Sequence, residues 1–135
     1  MLQVGYAIFI LLHGFVHIWY VTLARRWVPF EPGMGWTANS WLLSSAFGDT
    51  TMRSLATVLF SIATLSFVIA GAGMLAQADW WSSVLIGAAI ASSVIIFLFW
   101  DGSFEMLVQK GILGLLINIV LLISLLICNW PVKQL

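Results

Sequence analysis

Charge is what this 135-residue chain lacks most, since only 7% of its residues are Asp, Glu, Lys or Arg, against roughly a quarter in soluble domains. So little charge excludes water as the main solvent. The five basic and five acidic residues cancel, so no net field draws nucleic acid, and the linear sequence holds no polybasic cluster to draw anionic lipid. The single cysteine, Cys128, excludes an internal disulfide and a CxxC pair, and with them thiol-based quinone reduction. The start MLQVGYAIFILLHGFVHIWY lacks both a basic n-region and a small-residue cleavage site, so its apolar run is expected to persist as a helix.

Apolar residues make up 62% of the chain. Crossing about 30 Å of hydrocarbon takes about 20 apolar residues in helical form, because a helix satisfies its own backbone groups without water. Four runs have that length, at about residues 2–24, 54–76, 80–100 and 107–129. Short links after the second and third runs force antiparallel neighbours. The expected fold is therefore all-α, an up-and-down bundle of four transmembrane helices filling residues 1–135 as one integral membrane domain.

The first loop, 25–52, is longer than the others. Pro29, Pro32, Gly33 and Gly35 break helix, after which Asn39–Phe47 is expected to form a short interfacial helix ended by Gly48. Trp27, Trp36, Trp41, Trp80, Trp81, Trp100 and Trp130 fall at or near the run ends, where indoles prefer the headgroup level. Arg25, Arg26, Arg53 and Lys110 mark one membrane face and Lys133 the other. The positive-inside bias then places both termini on the non-cytoplasmic side, in a membrane expected to be the bacterial inner membrane.

His13 and His17 are the ionisable side chains deepest within a run, and a four-residue spacing puts both on one helix face. Such groups face the bundle interior, since lipid exposure is costly. Counting about 1.5 Å of rise per residue puts Asn118 and Thr64 level with His13, and Ser61 and Ser93 level with His17. His13 is expected to bond with Asn118, and His17 with a hydroxyl of the second or third helix. These six residues form the candidate ligand-binding layer. The same imidazoles can equally serve only to fix helix register.

Two histidines on one helix stripe cannot hold a haem from both sides within one chain. The residues between them, Gly14, Phe15 and Val16, carry no glutamate, so the pair is not a zinc-protease motif, and no metal site is expected. The runs hold no carboxylate near mid-depth of the kind proton-coupled exporters use. Asp101, Glu105 and Lys110 read as a helix cap and interface anchors.

The first run reads FILLHGFVH and the last is entered through DGSFEMLVQKGILGLLIN. In this layout the chain looks like small four-helix bacterial membrane proteins, and more loosely resembles the DoxX-like group. That resemblance implies a link to quinone-dependent oxidoreductase systems. The arginine often found early in that group's first helix is missing, so no catalytic residue carries over. Three functions stay open: a non-enzymatic assembly or accessory subunit partnering itself or a larger membrane complex; a small lipophile or quinone site at the His pair; and a small transporter or channel. Lipid is the expected surrounding of all three.

Overall fold

The computed structural model describes residues 2–131 and consists of four helices packed in chain order, with no strand among the described residues. These are α1 (Leu2–Ala24), α2 (Asp49–Leu75), α3 (Trp81–Leu98) and α4 (Ile112–Leu126). The first three are long and apolar enough to cross a membrane, which makes the chain a membrane helical bundle. Lys133 lies outside the described residues.

Bulky apolar side chains cover the outside of the bundle, among them Leu12, Val58, Leu65, Val94 and Val120, each more than half exposed. In lipid that surface costs nothing, so close backbone approach has to hold the helices together. Gly71 takes Leu11 of α1 into the space a Cβ would fill, and Gly73 does the same for the ring of Trp80. Between α3 and α4, Gly111 and Gly114 receive Ile96.

Helix boundaries depart from the sequence expectation by more than one residue at four places, one of which is the end of α4 at Leu126, three residues early. α2 begins at Asp49, before Arg53, because Gly48 is extended and lets Met52 N–H reach its carbonyl. α3 ends at Leu98, two residues early. α4 begins at Ile112, since Gly111 takes φ 104 and closes a preceding turn through Ile112 N–H to Leu107 O. At 15 residues, α4 is about 22 Å long and shorter than the hydrocarbon core. Asp101 and Glu105 therefore stand outside its first turn and do not cap it.

The first loop is not an interfacial helix. Its one helical element is the short 3-10 turn Pro32–Met34, and residues 41–46 form successive turns in which Ser40 Oγ accepts from the N–H groups of Leu42 and Leu43. Trp36, Ala38 and Ser40 are buried, while Trp41, Leu42 and Phe47 stay exposed. Trp36 lies 5.5 Å from the Tyr20 ring and 5.8 Å from Phe60. The loop folds inward and plugs one end of the bundle.

Candidate functional site

Helical arithmetic turns His13 and His17 toward the interior, and both are buried, at 4% and 2% exposure. Asn118 of α4 and Ser92 of α3 reach the same level and are fully buried. His13 Nε2 lies 2.8 Å from Asn118 Oδ1, Asn118 Nδ2 lies 2.9 Å from Ser92 Oγ, and Ser92 Oγ lies 2.7 Å from His17 Nε2. His17 Nδ1 faces the carbonyls of His13 and Gly14 at 3.1 and 3.3 Å.

Those carbonyls fix the proton positions. A carbonyl oxygen only accepts, so His17 Nδ1 carries the hydrogen, and in a neutral imidazole Nε2 is then an acceptor. Ser92 O–H donates to it. The serine oxygen in turn accepts from Asn118 N–H, and Asn118 Oδ1 accepts from His13 Nε2–H. The chain of bonds starts at the His13 ring and ends on the His13 backbone, so it is a closed, one-way ring through α1, α4 and α3.

Aromatic rings wall this polar ring. Phe67 meets His13 edge-on at 4.8 Å and stacks on His17 at 5.4 Å, and Phe60 lies 6.2 Å from His17. Every fully buried side-chain nitrogen and oxygen among the described residues has a hydrogen-bond partner. His13 Nδ1 has none among the described residues and is not sealed from the bundle surface, which leaves it as an open acceptor.

The rest of the expected layer stands outside the ring. Thr64 Oγ1 donates to Phe60 O at 3.0 Å and Ser93 Oγ to Ala89 O at 2.8 Å, each satisfying its hydroxyl on its own helix. Ser61 is half-buried on α2 and takes no part. Ser92, which the depth count passed over in favour of Ser93, is the hydroxyl that meets His17. No cluster of three or more metal-ligating side chains forms among the described residues.

The chain was compared with protein-family models, curated proteins and solved structures. It matches none of them.

At the plugged end of the bundle lies a second polar group. Lys110 is buried and its Nζ stands 2.8 Å from Asp101 Oδ2. Burial pushes the Asp101 carboxyl up, but hydrogen bonds from Lys110 and from the Ser103 backbone, with the Lys110 charge, outweigh it and hold the group below its usual range. Beside this pair an apolar cavity of about 190 Å³ lies between Ile96, Trp100, Phe104 and Leu115. Its polar group, Lys110, is already neutralised by Asp101.

Proposed function

We propose that this protein is a non-enzymatic membrane subunit that works by assembly, with itself or within a larger membrane complex. The observation that carries the reading is the closed hydrogen-bond ring of His13, Asn118, Ser92 and His17. Three of the four imidazole nitrogens are committed to partners within the ring, and among the described residues His13 Nδ1 alone is left open. The ring locks three helices in one register. The outer surface is apolar along the helices, so what the bundle presents to others is its lipid-facing helices.

Native mass spectrometry of gently extracted protein tests this, because it weighs subunits and bound molecules together. A stable multimer or hetero-complex, with no adduct that depends on His13, is the expected result. A haem or quinone adduct that disappears in His13→Ala overturns the reading, and so does a bare monomer.

A second reading rests on the open His13 Nδ1. That nitrogen can accept from the hydroxyl of a lipophile, and a quinol is one such donor, which accords with the DoxX-like resemblance. A quinol adduct retained by wild-type protein and lost in His13→Ala favours it. The carrier or channel reading finds less support, since the rings of Phe60 and Phe67 wall the polar ring.

A further inference from the structure

We propose that Arg25, Arg26 and Arg53, gathered at the joined ends of α1 and α2, bind the phosphate of an anionic lipid headgroup. In the linear sequence Arg53 is far from the other two, and no polybasic cluster exists. The antiparallel packing of α1 and α2 creates one. Arg26 Nη2 reaches Asp49 Oδ2 at 2.8 Å, and Arg53 Nε reaches the two oxygens of the same carboxylate at 2.9 and 3.0 Å.

Two guanidinium groups hold the one carboxylate and Arg25 lines the cleft beside it, which leaves an excess of two positive charges. The donors are also mostly free. Each guanidinium has five N–H groups; Arg53 uses Nε–H on Asp49 and one at Nη1 on Leu23 O, and Arg26 uses one at Nη2. Arg25 makes no ion pair among the described residues. Because Asp49 already holds two of the guanidinium groups in place, less side-chain freedom is lost when an anion arrives.

Two clefts flank the Asp49 bridge, of about 230 and 370 Å³, and both are lined by Arg26, Asp49 and Arg53. Thr50 and Ser54 line the smaller one and bring hydroxyl donors for phosphate oxygens. Arginine forks suit such oxygens well.

A lipid phosphate fits better than a free one because of where the cluster sits. α1 and α2 both have bilayer length, so their shared end lies at headgroup level. In the loop just after Arg26, Trp27 and Phe30 stand 69% and 50% exposed, and Phe30 lines the larger cleft. Aromatic rings beside cationic groups at that depth suit the boundary between headgroup and acyl chain.

The test titrates the full chain in mild detergent with phosphatidylglycerol or phosphatidylcholine and reads bound lipid by native mass spectrometry. Wild-type protein is expected to prefer phosphatidylglycerol. Each arginine removed, in Arg25→Gln and in Arg25→Gln/Arg26→Gln, weakens that binding about fivefold. Arg25 is exposed and unpaired among the described residues, so Arg25→Gln reads binding without disturbing the fold. Equal binding of the two lipids overturns the proposal, as does an Arg25→Gln/Arg26→Gln protein that binds like wild type. Displacement of the lipid by an equal concentration of inorganic phosphate reassigns the site to free phosphate and overturns it as well.

Discussion

A Cβ on Gly14 would lie 2.7 Å from the Cβ of Phe67 and 3.3 Å from the carbonyl oxygen of Thr64. The backbones of α1 and α2 therefore touch between the two histidines, and Phe67 can press on both imidazoles because residue 14 has no side chain.

Gly14→Ala is expected to lower stability by about 1–3 kcal/mol, since the obstructing atoms are a Cβ and a backbone oxygen that cannot turn aside. Gly87 is the matched control. A Cβ there meets nothing within 4 Å, so Gly87→Ala inside α3 should raise stability by about 0.5–1 kcal/mol. Unfolding in mixed micelles measures both, and equal effects would mean that the α1–α2 contact is looser than described.

Ser92→Ala removes the hydroxyl that links Asn118 to His17 and leaves His17 Nε2 without its donor. Side-chain hydrogen bonds within membranes contribute about 0.6 kcal/mol on average and up to about 1.7, and the larger figure suits a site where both neighbours lose a partner. Ser93→Ala removes only a bond to its own helix and should change stability by less than about 0.5 kcal/mol. Combined with Asn118→Leu, Ser92→Ala is expected to cost less than the sum of the two single changes, because both break the same ring. Strict additivity would contradict the closed arrangement.

The plugged end should be sensitive to acid through Asp101. Its carboxyl sits below the usual range in the folded protein, so the unfolded chain takes up a proton first as pH falls. The stabilisation from the Lys110 pair is thus fully present above the ordinary carboxylate range near pH 4, and is lost as pH drops through the lower folded value. Wild type minus Asp101→Asn, followed from pH 7 to about pH 3, should show a difference that shrinks with acid. At neutral pH, Asp101→Asn leaves Lys110 buried without its partner, at a cost of about 1–3 kcal/mol given that the Asp101 side chain is 23% exposed. A difference independent of pH would remove the carboxylate from this account.

Depth and face were readable for α1, because an unbroken apolar run fixes its length and a four-residue spacing fixes which side chains align. Asn118 was readable for the same reason: counting rise from the run's end gives its level. Level is not direction, however. Ser92 and Ser93 differ by a fraction of a turn in height but by about 100° around the helix, and only packing decides which points inward. The break before α4 was hidden because Gln109, Lys110 and Gly111 interrupt the apolar run for only three residues, while the decisive feature is the positive φ that Gly111 adopts. Trp36 misled for a different reason: indoles near run ends suit the interface, and here the loop folds back and buries the ring on Tyr20 and Phe60. The sequence put Arg25, Arg26 and Arg53 at one membrane face, but not beside one another, since that depends on α2 packing against α1.

Arg26 carries a strain that separates backbone from charge. It ends α1 in the left-handed region at φ 57, with Trp27 N–H bonded to Thr22 O and Arg26 N–H to Leu23 O, a helix end that ordinarily uses glycine. A side chain in that conformation costs roughly 1–2 kcal/mol, whereas the exposed pair with Asp49 returns at most about 1 kcal/mol. Arg26→Ala loses the pair and keeps the strain; Arg26→Gly loses the pair and relieves it. Arg26→Gly should therefore be more stable than Arg26→Ala by about 1 kcal/mol, while both bind phosphatidylglycerol equally weakly. An alanine variant as stable as the glycine one would show that the turn after α1 does not hold the left-handed conformation, and with it the placement of Arg26 beside Arg53 would fall.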